Sequence, residues 1–109
     1  MLKDKQNEKW LSTLNDTILM HLSDVHLSST YLAEQMGLSQ RQFYRKVKEI
    51  TNTTPNNYLN EIRLQKAMLY LQHGEYKTLI ATANAIGFKD PNYFAQKFKE
   101  RFGVSPLEV

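Results

Sequence analysis

Residues 33–48 read Ala33-Glu-Gln-Met-Gly-Leu-Ser-Gln-Arg-Gln-Phe-Tyr-Arg-Lys-Val-Lys48, and residues 83–99 read Ala83-Asn-Ala-Ile-Gly-Phe-Lys-Asp-Pro-Asn-Tyr-Phe-Ala-Gln-Lys-Phe-Lys99. The two stretches repeat one pattern. Gly37-Leu38 matches Gly87-Phe88 at an offset of 50, as Ala33 matches Ala83 and Met36 matches Ile86. Past the turn the offset becomes 51: Phe43 matches Phe94, Val47 matches Phe98, and Lys46, Lys48 and Glu49 match Lys97, Lys99 and Glu100. Pro55 then matches Pro106. Two copies are too few for a solenoid. Each copy is a short helix, a turn of three or four residues containing Gly, and a second helix, which is the outline of a helix-turn-helix.

Outward from these copies the chain reads as helical, with no alternating apolar runs and no Asn-Gly hairpin turn. Leu11, Leu14, Ile18 and Leu22 share a stripe, with Trp10 beside it, and predict a first helix over about 8–22. Ser28 or Ser29 caps a short second helix that ends at Gly37. Ser39 caps a third, running to about Thr51. Thr54-Pro55 opens a long fourth helix, ended by Gly74. Thr78 caps a fifth that stops at Gly87, Asp90-Pro91 opens a sixth that stops near Gly103, and Ser105-Pro106 begins a last turn. At 100° per residue the fourth helix carries two stripes. Tyr58, Leu59 and Ile62 cluster on one side of its first half; Leu64, Ala67, Met68 and Leu71 cluster on nearly the opposite side of its second half, with Leu69 the exception. Such a helix is expected to bury each half in a different subdomain. The expected fold is therefore all-α, with about seven helices in two helix-turn-helix subdomains joined by a long central helix. The expected boundaries are 1–7 as a linker or tail, 8–54 as the first subdomain, 55–74 as the connecting helix and 75–109 as the second subdomain.

The chain has 109 residues, 41% hydrophobic and 23% charged, the balance of a globular domain and not of a disordered one. It has no Cys, which excludes disulfides, a cysteine zinc site and a thiol nucleophile. No apolar run approaches the ~20 residues of a membrane span, and the N-terminus is no signal peptide. His21, His26 and His73 have no metal-ligand spacing. There is no Gly-rich phosphate loop, no nucleophile elbow and no facing pair of carboxylates, so an enzyme is not expected. Charge is uneven. Residues 1–38 carry three bases and five acids; residues 39–52 carry Arg41, Arg45, Lys46 and Lys48 against Glu49; residues 89–101 carry Lys89, Lys97, Lys99 and Arg101 against Asp90 and Glu100. On charge alone, a polyanion touched at two places and two solvated helix faces are equally good readings.

The second helix of each copy sharpens this. Phe43, Val47 and Ile50 form one face, with Arg41, Arg45 and Lys48 opposite and Tyr44 and Glu49 at the flanks. Phe94, Phe98 and Phe102 form the corresponding face, with Asn92, Gln96 and Lys99 opposite and Tyr93 and Glu100 at the flanks. Arg grips guanine O6 and N7 with two bonds; Asn and Gln do the same with adenine N6 and N7. A lysine one turn further on suits a phosphate. Two equivalent faces, each after a helix-turn-helix outline, favour DNA reading over an ordinary polar surface.

The chain resembles the DNA-binding domain of AraC/XylS-type bacterial transcription regulators. The residues that carry the resemblance are Tyr31 through Lys48, Thr54-Pro55, Ile62-Arg63-Leu64, Ala83 through Lys99, and Phe102-Gly103-Val104-Ser105-Pro106. It covers roughly residues 8–107, and the N-terminal piece resembles the output domains of hybrid two-component regulators. The resemblance implies seven helices, and two recognition helices that enter successive major grooves. It places base contacts on Arg41, Tyr44 and Arg45, and on Asn92, Tyr93 and Gln96. The phosphate contacts expected with them are Ser39, Lys48, Lys89, Lys97 and Lys99. Ser29 and Thr82 depart from the family pattern, which favours apolar residues there, and are expected to soften the packing beneath the recognition helices.

The expected function is sequence-specific binding of double-stranded DNA by a cytoplasmic bacterial transcription regulator, without catalysis, cofactor, metal or membrane contact. RNA polymerase and an upstream sensor or receiver domain are the further partners the resemblance implies. The alternative is a helical protein-interaction module binding an acidic partner.

Overall fold

The computed structural model describes Leu2–Val109, with side chains described from Asp4 onward. These residues form six α-helices and a final 3-10 turn: α1 (Leu2–Met20), α2 (Ser29–Gln35), α3 (Gln40–Thr51), α4 (Pro55–Gln72), α5 (Leu79–Ala85), α6 (Pro91–Phe102) and the turn Pro106–Glu108. No strand occurs among the described residues. The seventh expected helix is the single 3-10 turn.

Local chemistry accounts for the helix starts. Ser28 accepts from the Tyr31 amide at 3.2 Å, Thr54 from the Asn57 amide at 3.2 Å, and Thr78 from the Ala81 amide at 3.0 Å. Each satisfies a first-turn donor that the helix itself leaves unpaired. α1 begins at Leu2, so the stretch expected to be a tail is helical from Leu2 to Asn7, while Met1 lies outside the described residues. The apolar stripe that marks α1 starts only at Trp10. Residues Asp4, Lys5 and Gln6 are exposed and form helix without burying a face.

The chain divides into two compact units. The first runs up to His21 and resumes over Leu27–Leu59; the second comprises Leu22–His26 and Asn60–Val109. The division falls inside α4, between Leu59 and Asn60, so the two halves of this helix belong to different units. In the first unit Leu14, Ile18, Leu32, Ala33, Phe43, Val47 and Leu59 are buried. Tyr58 of α4 donates to Asn15 Oδ1 of α1 at 2.5 Å; burial pushes its phenol pKa up, and that hydrogen bond opposes the shift. In the second unit Leu64, Ala67, Ala83, Ile86, Phe88, Phe94 and Phe98 form the core. Leu69, the residue outside the α4 stripe, is 47% exposed.

The second unit also encloses a charge. Arg63 is only 6% exposed, and its Nη2 donates to the Asp24 carbonyl at 2.9 Å. Its guanidinium lies 6.0 Å from the Phe88 ring centroid. Burial lowers the Arg63 pKa, opposed by the Asp24 charge. This bond gathers Leu22–His26 into the second unit, a placement that the simple order of helices does not reveal.

Candidate nucleic-acid interface

α3 and α6 each turn one face inward and one outward. On α3 the start is fixed twice. Ser39 Oγ accepts from the Gln42 amide at 3.2 Å, and Gln42 Oε1 accepts from the Ser39 amide at 3.0 Å, a reciprocal cap. The Ser39 hydroxyl hydrogen is not used by this cap and stays free for an acceptor. Gln40 Nε2 donates to Thr30 Oγ1, tying the first turn of α3 to α2. Phe43 and Val47 are buried at 1% and 0% exposure, which fixes the rotation of the helix about its axis.

That rotation exposes Arg41, Tyr44, Arg45 and Lys48 on the opposite side. With Glu49 they line an open depression of about 600 Å³. Among the described residues no hydrogen bond or ion pair occupies Arg41, Arg45 or Lys48. Lys46 behaves differently. Its Nζ stands 5.0 Å from the centroid of the Trp10 ring on α1, and Trp10 in turn lies 6.1 Å from Phe43.

α6 opens on Asp90, which accepts from the Asn92 amide at 2.9 Å, with Pro91 in the first helical position. Phe94 and Phe98 are fully buried, and Phe102 is half-buried. Asn92, Tyr93, Gln96 and Lys99 face outward, with Lys89 exposed in the turn before the helix. The Tyr93 ring is tilted at 53° to that of Phe88, with 6.0 Å between centroids. Lys97 is half-buried, with its Nζ 3.4 Å from Glu100 Oε2 and 5.5 Å from the Tyr93 ring centroid.

Each expected base-contact set thus gathers on one exposed helix face: Arg41, Tyr44 and Arg45 in the first unit, Asn92, Tyr93 and Gln96 in the second. The supports of these faces are less evident from sequence. Arg101 Nε donates to both carboxylate oxygens of Glu61 on α4, at 2.7 and 2.9 Å, and so anchors the end of α6. No sequence spacing signals this pair across 40 residues. The Gln96–Glu100 bond at 3.3 Å follows i,i+4 spacing and was readable in principle.

A family model described as a helix-turn-helix domain matches residues 32–109. The HTH-type transcriptional activator RhaS of Escherichia coli O139:H28 (strain E24377A / ETEC) is 40% identical over 78 residues, which make up 72% of this chain and 28% of RhaS. The chain therefore spans under a third of the length of that relative. Among solved structures, a transcriptional regulator of the AraC-type DNA-binding-domain proteins from Chromobacterium violaceum matches with a TM-score of 0.84 and 26% identity, over 95% of this chain and 91% of that one. The DNA-binding domain of AdpA, a global transcriptional factor solved in complex with a target DNA, matches with a TM-score of 0.81 and 26% identity, over 90% of this chain and 86% of that one.

Proposed function

This chain belongs to the AraC-type helix-turn-helix family of transcription regulators, and on that premise we propose that it binds double-stranded DNA in a sequence-specific manner. α3 and α6 act as recognition helices, each in a major groove. The carrying observation is the pair of outward faces, each set opposite two fully buried residues on its own helix. Arg41 and Arg45 present forked donors suited to guanine; Asn92 and Gln96 present amides suited to adenine. Tyr44 and Tyr93 add ring and hydroxyl contacts at the same level. Ser39, Lys48, Lys89, Lys97 and Lys99 hold phosphates and set the register of each helix on the duplex. The solved AdpA complex supports this reading, because a domain of similar structure is there in complex with its target DNA.

Readout of this kind is noncovalent and requires neither catalysis nor a cofactor. The domain works in the cytoplasm, on DNA, within a regulator whose sensor or receiver part lies upstream, and RNA polymerase is its second partner during activation. No helix among the described residues is long and apolar enough to cross a membrane.

Selection of random duplexes by the purified chain at one fixed salt concentration tests the reading. Two enriched tracts of unlike sequence are expected, guanine-rich under α3 and adenine-rich under α6. Salt-dependent binding without any enriched motif would favour a module that meets acidic partners through charge alone.

A further inference from the structure

The reading side of α6 is a connected network. Glu100 stands one turn beyond Gln96, and its Oε1 accepts a hydrogen bond from Gln96 Nε2 at 3.3 Å. Its Oε2 lies 3.4 Å from Lys97 Nζ. Lys97 in turn reaches over the Tyr93 ring. One carboxylate thus links to three side chains of the proposed contact set, two directly and the third through Lys97.

The chemistry of the carboxylate settles which way the Gln96 amide faces. An ionised carboxylate only accepts hydrogen bonds, so the amide end toward Glu100 is the NH₂ group and not the carbonyl. One amide hydrogen is used there. Oε1 and the second hydrogen remain as an acceptor and a donor side by side, the pattern that adenine N6–H and N7 require. Turned over, the amide would put its NH₂ where the carbonyl stood, a donor that would meet guanine O6 in place of adenine N6–H. In shape the two orientations of a glutamine amide are nearly identical, so a neighbouring charge decides between them.

The geometry points to Glu100 as a positioning residue that determines specificity: it fixes the Gln96 amide so that α6 selects adenine over guanine at one base pair, without touching the base. This rests on the reading of α6 as a major-groove helix. Water leaves the pair when the helix enters the groove, which strengthens the bond that orients Gln96. Lys97 offsets the carboxylate charge that would otherwise face the phosphates. The equivalent pair on α3 is Arg45 and Glu49. A guanidinium carries donors only and has no second orientation to exclude, so this device belongs to α6 alone.

The experiment is duplex selection at one salt concentration with four proteins: the wild-type chain, Glu100→Ala, Gln96→Ala and the double variant. The base pair read by Gln96 is the one at which Gln96→Ala loses its preference. There Glu100→Ala should lower the adenine-over-guanine ratio about twofold, the scale of a side-chain pair one helical turn apart. Other positions should keep their preferences, and Glu100→Gln, which still offers an amide oxygen, should retain more of the ratio than Glu100→Ala. In the Gln96→Ala background the Glu100 change should alter no base preference, since its effect passes through that amide. Circular dichroism should match the wild-type chain, because Glu100 is exposed. A uniform rise in affinity with an unchanged ratio would overturn the inference and leave Glu100 acting only by its charge. A ratio change that persists without Gln96 would overturn it equally. A wild-type motif that survives either result keeps the DNA reading intact; absence of any wild-type motif removes that reading and the inference together.

Discussion

The turn of the first helix-turn-helix and the turn of the second both pass through a glycine, the second is one residue longer, and the two differ most in what surrounds them. Met36 and Leu38 flank the first turn half-buried, whereas Ile86 and Phe88 flank the second buried. Gly37 and Gly87 both hold positive φ, at 69° and 80°. A Cβ added at Gly37 meets nothing within 4 Å, whereas one at Gly87 would collide with the Leu22 carbonyl oxygen and come within 2.9 Å of Arg63 Nη2. Beneath α6 the rings of Phe88, Phe94, Phe98 and Phe102 follow one another at centroid distances of 5.5, 5.8 and 4.8 Å. α3 rests on Phe43 and Val47, with Trp10 beside them. The repeat therefore copies the signals that place helices and turns, while side-chain volume decides how tightly each copy closes.

The two glycines give the largest expected contrast. At Gly37 an alanine meets only the penalty of a left-handed backbone, about 1–2 kcal/mol. At Gly87 the same penalty is joined by a clash with backbone and with a buried guanidinium, neither of which can move freely. Gly87→Ala should cost more than about 4 kcal/mol, which is enough to unfold a small domain. Urea melts of the two variants measure this. Equal losses would mean that the second turn is no more tightly packed than the first.

Next comes the pair Val47 and Phe98, which hold equivalent places and are both fully buried. Truncating Phe98 to alanine leaves a ring-sized void and should cost about 3–5 kcal/mol. Val47→Ala removes two methyl groups and should cost about 1.5–3 kcal/mol. Thermal melts in which Val47→Ala is the more damaging would reverse the assignment of the tighter core.

The helices of both units are legible in the sequence because their ends are written in short-range chemistry. Ser28, Ser39, Thr78 and Asp90-Pro91 mark the starts of α2, α3, α5 and α6, and the glycines mark the stops, all within a few residues of the structure. The outward faces follow from helical periodicity once those ends are known. Features fixed by distant partners are not legible. Arg63 reads as one more charged residue on a helix, yet its guanidinium is buried against the backbone carbonyl of Asp24, 39 positions away. A carbonyl leaves no mark in a sequence. The early turns of α1 escape for the opposite reason: Asp4, Lys5 and Gln6 are exposed, so no apolar stripe announces them.

The recognition helices should separate by base more than by strength. Arg45→Ala should weaken specific binding by about 1–3 kcal/mol and relax one guanine position, and Gln96→Ala should do the same at an adenine. Lys48→Ala should weaken binding to all duplexes alike and lower the salt slope by about one. Lys46→Ala should leave that slope unchanged, because the ammonium is held over Trp10. A salt titration of the two lysine variants decides the last point. A slope that falls for Lys46→Ala would place it on a phosphate.

The smallest expected effect lies at Ser29 and Thr82, the two scaffold positions where the sequence reading expects apolar residues. Thr82 is fully buried, but its hydroxyl donates to the Thr78 carbonyl at 2.9 Å, so no polar hydrogen is stranded and its methyl still fills space. Ser29 is only half-buried and borders an open depression of about 410 Å³, lined also by Phe43, Tyr44 and Pro55. The second position is thus already filled, and the first has room. Thr82→Val exchanges a satisfied hydroxyl for a methyl, and the Thr78 carbonyl keeps the Thr82 amide at 3.1 Å. Its effect should stay below about 1 kcal/mol. Ser29→Val adds apolar volume against the underside of α3 and should stabilise by about 0.5–1 kcal/mol. Urea midpoints at constant slope measure both changes. A gain at Ser29 with none at Thr82 is the pattern expected of one loose and one tight unit, and equal shifts of either sign would erase that difference at its finest grain.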